Sequence, residues 1–297
     1  MPEGDTVWRT ADRLNRALAG QALRTLEIRW GEYGGLDLLP ATTRDVISRG
    51  KHLLHHLDTG VTLHTHLRME GSWRVHTTAA TTARDRANPQ IRVLAATDDW
   101  TALGLRLGLV EVWPTDQAEH RLGYLGPDIL GPDWDLERAL ANLTALPQRA
   151  IAEGLLDQRN LAGVGTFWAS EGLFLQRLFP WAPVGDCSTA QLTALLERTQ
   201  RLMRRGAATG IQSATGSERA DQLANVHARS GRPCRRCGEA IRVAAIGLAP
   251  TERVFFYCPR CQGGLAPTDD GRPQRPMGSQ PRGRRGGNLT QVRPQRR

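Results

Sequence analysis

Apolar residues recur at helical spacing near the start of the chain and alternate with polar residues further on. A first helix is predicted by four apolar positions three or four residues apart: Val7, Ala11, Leu14 and Leu18. Asp5 is expected to cap this helix, and Gly20 to follow its last turn. Alternation predicts strands within residues 26–30, 61–67 and 103–109, with a polar loop at residues 77–88. One leading helix followed by short strands predicts a β-sandwich domain at residues 1–115.

After residue 126 the apolar residues recur every three or four positions, which is the spacing of an α-helix. Four segments carry it, with Pro147 placed as a first helical residue: 135–145, 147–157, 166–178 and 188–205. An all-α domain is therefore predicted at residues 126–215. A polar stretch, residues 206–225, leads from the helices to a module that contains cysteines at residues 226–263.

Four cysteines of this module form two close pairs, each with two residues between its members: Cys234 with Cys237, and Cys258 with Cys261. Two such pairs supply the four thiolates of a tetrahedral Zn²⁺ site that is closed to water and therefore structural. Residues 242–246 and 254–257 are strand-like and predict a β-hairpin between the pairs. The predicted fold class is thus α+β and multidomain: a β-sandwich with a leading helix, an all-α domain and a β-hairpin zinc finger.

The net charge of +9 is concentrated at the end of the chain. Residues 271–297 contain eight Arg and no acidic residue, so the remaining residues sum to about +1. The segment 264–297 is rich in Pro, Gly, Gln and Arg, and we expect it to be a disordered basic tail. It is either a solvated tail or a non-specific tether to phosphates. No apolar run approaches the length of a membrane span, and the charged N-terminus predicts no signal peptide, so a cytoplasmic protein is expected.

Two residues in the N-terminal half of the chain, Pro2 and Lys51, are candidate catalytic residues. If the initiator Met is removed, Pro2 presents a secondary amine beside the carboxylate of Glu3, and such an amine can attack a sugar carbon. Taken alone, Pro2 is better explained as the residue that merely follows the start codon. Lys51 is the single lysine among 39 basic residues. A codon preference for Arg accounts for the excess, but Lys51 is also the one ammonium here whose proton can be moved.

A Gly-x-Gly turn, Gly163 to Gly165, joins two predicted helices, and Thr166 starts the second. Backbone N–H groups at a helix N-terminus form an anion site, which makes these three residues candidates for phosphate binding. A nucleotide-binding glycine loop is a weaker interpretation because no strand precedes the turn. A plain tight turn between helices is the remaining alternative.

Five segments in a fixed order resemble the formamidopyrimidine-DNA glycosylase/endonuclease VIII family of DNA-repair enzymes, most of all its actinobacterial endonuclease VIII-like branch. They are Met1-Pro2-Glu3-Gly4-Asp5, Arg49-Gly50-Lys51-His52, His66 through Trp73, Leu155 through Gly165, and Arg232 through Gly238 with Arg253 through Gln262. The resemblance covers residues 1 to about 263. It implies an N-terminal β-sandwich, a helix–two-turn–helix domain and a zinc finger on a β-hairpin.

The same resemblance implies roles for four residues. Pro2 would attack C1′ of a flipped, damaged nucleotide and form an iminium, and Glu3 would protonate the sugar ring oxygen. Lys51 would contact phosphate and assist β-elimination. Arg253, near the hairpin tip, would bind the phosphates beside the lesion and assist δ-elimination. The alternative is that Arg253 is a solvated arginine of the turn.

Three further residues, Arg68, Met69 and Thr166, would bind DNA by the same resemblance, each with a difference or an alternative. Met69 would fill the hole left by the flipped nucleotide, or else be a core methionine. Arg68 replaces the Gln of endonuclease VIII, and Tyr124 replaces its Arg. Thr166 stands where the family has a phosphate-binding Asn.

The leading hypothesis is a bifunctional DNA glycosylase/AP lyase that removes oxidised bases, with pyrimidines favoured, by β,δ-elimination. An alternative is an abasic-site lyase of single-stranded or duplex DNA. A third is a non-catalytic DNA-binding relic, which the presence of all four catalytic residues disfavours. The expected partner is damaged double-stranded DNA, the expected cofactor one structural Zn²⁺, and the expected state a monomer at the bacterial nucleoid.

Overall fold

A computed structural model describes residues 2–276 of the 297-residue chain. Its helices are α1 Gly4–Leu18, α2 Ala83–Arg86, α3 Ala118–Leu122, α4 Leu136–Thr144, α5 Ile151–Leu156, α6 Thr166–Gln176, α7 Thr189–Thr209 and α8 Pro259–Gln262. Its strands are β1 Thr25–Ile28, β2 Thr43–Arg49, β3 His52–Leu57, β4 Val61–His66, β5 Ser72–Thr77, β6 Ile91–Ala96, β7 Trp100–Leu105, β8 Leu109–Pro114, β9 Arg242–Ile246 and β10 Arg253–Tyr257.

Two antiparallel four-stranded sheets form the N-terminal part of the molecule. Their strand orders are β1-β6-β7-β5 and β2-β3-β4-β8. Alternating side chains point between the sheets and pack with the apolar face of α1 into one core that includes Leu14, Leu53, Leu63, Val93 and Leu107. The predicted β-sandwich with one leading helix is confirmed.

Three details of the N-terminal prediction are wrong. The N-cap residue of α1 is Glu3 and not Asp5. The Asp5 carboxylate instead accepts a hydrogen bond from the Gln212 amide, 3.2 Å away. The stretch 103–109 is two strands, because Arg106 between them takes a left-handed conformation with φ +48°. The expected loop at residues 77–88 contains the short helix α2, which begins with a capping box at Thr82.

Helices α4 to α7 form the second part, as predicted, around a separate core that includes Leu155, Trp168, Leu173 and Leu195. The helix expected to start at Pro147 begins at Ile151 instead. The Pro147 carbonyl accepts from the Gly185 N–H at 2.8 Å, so it belongs to the loop that closes the domain. Within residues 2–276, no helix combines the length and the apolar character needed to cross a membrane.

Strands β9 and β10 form the expected hairpin, paired from Arg253 opposite Ile246 to Tyr257 opposite Arg242. The cysteine pairs flank it, and Cys234 and Cys258 are buried with Phe174, Val226, Ile241 and Phe256. Phe174 belongs to α6, so the hairpin packs on the helical domain through the same helix that faces the N-terminal domain.

The expectation of a disordered tail from residue 264 onward is wrong for residues 264–276, which we call the strap. Asp269 forms a buried ion pair with Arg242 of β9 and accepts from the Tyr257 hydroxyl of β10. The Gln274 amide bonds both the N–H and the carbonyl of Val243, at 2.7 and 2.8 Å. The strap therefore covers the outer edge of β9, which satisfies backbone groups that an open edge would expose. The rest of the predicted tail, residues 277–297, lies outside the described residues.

We expect Asp269→Asn to destabilise the protein by about 3 kcal/mol, because it leaves the Arg242 guanidinium buried without a counter-charge. The side chains of Asp269 and Arg242 are only 1% and 8% exposed. Urea unfolding measures the change. Asp270→Asn is the matched control, since Asp270 pairs with Arg272 in solvent and should contribute at most about 0.5 kcal/mol. Equal effects of the two substitutions would contradict a stabilising strap.

Candidate active site

The N-terminus of the chain meets the glycine turn between α5 and α6. The Gly4 N–H donates to the Gly163 carbonyl at 2.9 Å. A Cβ atom on Gly4 would lie 2.9 Å from the Gly163 Cα, and Gly163 itself has φ +102°. Both positions therefore require glycine for the two backbones to touch.

Glu3 lies at the N-terminus of α6 and its carboxylate binds the first backbone N–H groups of that helix. It accepts from Phe167 at 2.7 Å, from Gly165 at 2.9 Å and from Trp168 at 3.3 Å. The residue is 1% exposed. A carboxylate is favoured here because a helix N-terminus carries unpaired donors and a partial positive charge.

The anion site predicted at this turn thus exists, and the protein's own Glu3 occupies it. The Gly165 N–H is bonded to Glu3, and the Gly163 N–H donates to the Gln158 side chain at 3.0 Å. The prediction that Gly163 and Gly165 offer free amides to DNA phosphate is therefore wrong. Thr166 is the first residue of α6 and is partly exposed, so its phosphate contact stays a prediction.

Burial raises the pKa of Glu3 to about 7, against the opposing effects of Lys51 and of the helix N–H groups. Desolvation penalises the charged carboxylate more than these donors stabilise it. At neutral pH the group therefore exists in both protonation states. A carboxyl group in this condition can give a proton and take it back.

Lys51 lies in the turn between β2 and β3, directly beside the glycine turn. Its ammonium donates to the Val164 carbonyl at 2.7 Å, and the Gln158 amide donates to the same oxygen at 2.9 Å. Burial lowers the pKa of Lys51; Glu3 opposes that shift, and Arg253 adds to it. Lys51, Glu3 and Arg253 therefore lie within electrostatic reach of one another although they come from three parts of the chain.

Two residues that hold this site were not predicted as functional. The Asp128 carboxylate accepts from the Gly50 N–H at 2.7 Å and from the Leu130 N–H at 3.0 Å, which fixes the turn that carries Lys51. Gln158 bonds the glycine turn through both ends of its amide. In the sequence, these roles could have been suggested by the position of Asp128 directly after Gly-Pro and by that of Gln158 before the Gly-x-Gly turn.

The remaining predicted residues border this centre. Arg253 is the first residue of β10, is exposed, and lines a 390 Å³ cleft with Glu153 of α5. Arg68 and Met69 lie in the turn between β4 and β5, where Arg68 has φ +54°. Met69 is 66% exposed, which excludes a core methionine.

The four cysteine sulfur atoms converge in the way a metal site requires. All lie within 4.8 Å of one another, and the separations are 3.5 Å for Cys237–Cys258 and 4.0 Å for Cys234–Cys261. A tetrahedral ion bound at about 2.3 Å to each thiolate needs sulfur atoms about 3.8 Å apart. The cluster can therefore bind a metal ion without rearrangement.

Models of known families match two parts of this chain. Residues 1–105 match the formamidopyrimidine-DNA glycosylase N-terminal domain, and residues 125–217 match the formamidopyrimidine-DNA glycosylase H2TH domain. The fold also resembles the crystal structure of Lactococcus lactis formamidopyrimidine-DNA glycosylase bound non-covalently to DNA with an AP site. That likeness has a TM-score of 0.74 at 22% identity and covers 88% of this chain and 100% of that one.

Relatives of similar length match this chain in sequence over most of its length. The Streptomyces coelicolor protein "Probable endonuclease 8 2" is 45% identical over 272 residues, which are 92% of this chain and 98% of that protein. The DNA-(apurinic or apyrimidinic site) lyase of Mycolicibacterium smegmatis is 38% identical over 262 residues, 88% of this chain and 99% of the relative. The chain belongs to the formamidopyrimidine-DNA glycosylase family, as the sequence resemblance predicted.

We expect Gly165→Ala to lower cleavage of abasic-site DNA, the reaction for which the Mycolicibacterium relative is named, by about 10²-fold. The new Cβ would lie 2.5 Å from the Glu3 Cδ, so the carboxylate must leave the helix terminus, and the N-terminal residues that it anchors must move with it. Gly34→Ala is the control, because Gly34 lies away from this site, has φ −60°, and its new Cβ would come no closer than 3.3 Å to the Gly31 carbonyl oxygen, a contact that a shift of a few tenths of an ångström relieves. Single-turnover cleavage measures both variants, and a Gly165→Ala protein as active as the control would show that cleavage does not require the N-terminal residues to be fixed against α6.

Proposed function

We propose that the protein is a bifunctional DNA glycosylase and AP lyase of base excision repair, with Pro2 as its nucleophile. The observation that carries this proposal is the Glu3 carboxyl group, buried at a helix N-terminus with a pKa of about 7 and directly following Pro2. A proton donor next to an N-terminal secondary amine is the pair that displacement of a base from a sugar requires. The substrate and the product are in chromosomal DNA, so we place the enzyme in the bacterial cytoplasm.

The proposed reaction begins with attack of the Pro2 nitrogen on C1′ of a nucleotide flipped out of the duplex. The glycosidic bond breaks, the base leaves with its electron pair, and the nitrogen loses its proton. Glu3 protonates the sugar ring oxygen as the base departs, and this assists expulsion of the base, opens the ring and leaves an iminium between C1′ and Pro2. Loss of a C2′ proton then expels the 3′ phosphate by β-elimination. Loss of a C4′ proton expels the 5′ phosphate by δ-elimination, and water releases Pro2.

The other predicted residues have roles that follow from charge and position. Lys51 and Arg253 supply the positive charge that the departing phosphates need on either side of the lesion. Exposed Met69 fills the space that the flipped nucleotide leaves in the stack, and Arg68 contacts the DNA beside it. Oxidised pyrimidines are the proposed lesions, because the named relatives include proteins called endonuclease 8. A mainly abasic-site lyase is the second candidate, because the Mycolicibacterium relative is named for that reaction.

We propose that the metal of the cysteine cluster is one Zn²⁺. Four sulfur donors at tetrahedral separations suit zinc, and no ligand position would remain for water or substrate. The ion would hold the base of the β9–β10 hairpin, whose other end carries Arg253. Its contribution is therefore to folding and to the position of Arg253.

A free N-terminal amine on Pro2 is required by this mechanism. We expect Pro2→Gly, or a tag left on the N-terminus, to reduce the covalent complex trapped by borohydride on abasic-site DNA by at least about 10²-fold. DNA binding in a gel-shift assay should be retained, because Pro2 contributes little surface. Undiminished trapping by the tagged protein would exclude Pro2 as the nucleophile.

Glu3→Gln should separate the two activities. We expect it to lower excision of dihydrouracil by about 10²–10⁴-fold and to leave cleavage of abasic-site DNA largely intact, because the proton is needed chiefly to expel a base. Wild-type excision needs neutral Pro2 and protonated Glu3, so its rate should be greatest between pH 7 and 8 and fall on both sides, given a pKa of about 7 for Glu3 and of about 8 for a free α-amine. Abasic-site cleavage by Glu3→Gln should instead rise to about pH 8 and stay level. Parallel losses and identical pH profiles for both reactions would refute the role of Glu3.

Removal of the metal should affect DNA binding before it affects the rest of the fold. We expect Cys237→Ser to lose the bound zinc found by elemental analysis and to weaken duplex binding by at least tenfold, because metal affinity here is also folding energy. Cys187→Ser is the control, since Cys187 is a partly exposed cysteine of the helical domain outside the cluster. Active wild-type protein that contains no zinc would contradict the assignment.

A further inference from the structure

A second cavity opens on the outer face of the sheet β2-β3-β4-β8, next to the candidate active site. Its volume is 690 Å³, within the range of about 300–1,000 Å³ that small-molecule sites occupy. Strands β3, β4 and β8 supply His52, His64 and Glu111 to its wall. Arg68 and Tyr124 line it from two loops. The rest of the lining is Leu109 of β8, Gln117, and His120, Arg121 and Leu122 of α3. None of the steps proposed above uses this cavity.

A chain of hydrogen bonds orients the histidines of the wall. The His64 Nδ1 lies 2.9 Å from a Glu111 carboxylate oxygen, and the His64 Nε2 lies 2.8 Å from the His52 Nδ1. A carboxylate only accepts, so the His64 proton is on Nδ1 and its Nε2 must accept from the His52 Nδ1–H. The His52 Nε2 is therefore an unprotonated acceptor, and among residues 2–276 no hydrogen-bond partner is found for it.

The environment keeps this acceptor neutral. Burial lowers the pKa of His52 to about 3, and the neighbouring His64, His66 and Arg68 act in the same direction. A neutral imidazole nitrogen repels a phosphate oxygen and attracts an N–H group. The inner wall of the cavity therefore selects a donor, although the cationic Arg68 nearby favours an anion.

The remaining walls suit a flat ligand. Tyr124 is 53% exposed and presents an aromatic ring, and Leu109 and Leu122 add apolar surface. The aliphatic part of the Arg68 side chain lies against Gly108, because a Cβ on Gly108 would lie 1.9 Å from its Cγ. A ring for stacking, an acceptor at the wall and a guanidinium beside them match the base and phosphate of one nucleotide.

We propose that this cavity binds an unstacked nucleobase of the DNA strand, one whose N–H group donates to the His52 Nε2. The inference rests on the proposed function, which brings DNA to this face. His52 directly follows Lys51, and Arg68 directly precedes Met69, so the cavity borders both the proposed catalytic centre and the proposed wedge. A base of the same DNA molecule, outside the reaction centre, is therefore the ligand within reach.

A scan with 2-aminopurine, a base whose fluorescence rises when it leaves the stack, tests this assignment. The base is placed in turn at each position around an uncleavable tetrahydrofuran site, in both strands, and each duplex is titrated with the full-length protein. We expect one position outside the lesion to brighten. Tyr124→Ala should lower the occupied fraction there by about tenfold, the effect of losing one stacked ring, whereas Tyr124→Phe should preserve it.

A second measurement isolates the His52 acceptor. At the reporting position, adenine is replaced by purine, which lacks the amino donor, and the affinities of wild type and His52→Leu are compared. The preference for adenine over purine should fall by about five- to tenfold in His52→Leu. His52→Gln, whose amide oxygen still accepts, should restore it. Circular dichroism of the two variants checks that both are folded.

Three outcomes would overturn the proposal. They are equal fluorescence of wild type and Tyr124→Ala at every position, an adenine preference that His52→Leu leaves unchanged, and tight binding of free deoxyadenosine monophosphate with no response from any strand position. Borohydride trapping of wild-type protein on abasic-site DNA separates this test from that of the proposed function. If wild-type protein is trapped but no position in the fluorescence scan brightens, the cavity proposal alone is rejected. If no covalent complex is trapped, the proposed chemistry is rejected.

Discussion

The arrangement of the three parts of the molecule depends on the hydrogen bonds between the Glu3 carboxylate and the first N–H groups of helix α6. Glu3 lies at the N-terminus of the β-sandwich domain, and the N–H groups that it binds belong to α6 of the helical domain. Helix α6 also packs against the β9–β10 hairpin through Phe174. A buried carboxylate without these donors would be costly, so the interaction fixes how all three parts of the molecule meet. It also fixes Pro2, which has only one peptide bond between it and the anchored residue.

Two opposing effects act on this carboxylate, and their balance explains why it can serve in a reaction. The helix terminus and Lys51 favour the charged form, whereas burial favours the neutral form and prevails, so the pKa of Glu3 is raised to about 7. The bonds to Gly165 and Phe167 hold the group in place in either state. A residue that anchors the fold thereby stays close to half-protonated at neutral pH, which an exposed glutamate would not be.

The sequence predicted the parts of this structure that local patterns determine. The two cysteine pairs and the strands between them have characteristic spacing, and the family resemblance supplied Pro2, Glu3, Lys51 and Arg253. The features that could not be predicted from the sequence depend on contacts between residues that are distant along the chain. The apolar alternation at residues 103–109 continues through a turn because Leu107, in that turn, is itself buried in the core, so only the positive φ of Arg106 reveals the break. The polar composition of the strap predicts a disordered tail, and nothing local shows that Asp269 pairs with a residue 27 positions earlier.

The arginine-rich composition has a consequence for the site itself. Arginine stays charged at any ordinary pH, so 38 of the 39 basic residues can bind phosphates but cannot exchange protons. The exception, Lys51, is the basic side chain that reaches the glycine turn, where burial lowers its pKa. Beside it, the hydrogen-bonded pair His52 and His64 is held neutral, with the pKa of each histidine lowered chiefly by burial. The face around Lys51 thus combines permanent charges at its edge with groups of lowered pKa at its centre. Phosphates would be bound by the arginines and by the Lys51 ammonium, and base recognition would fall to the neutral histidines.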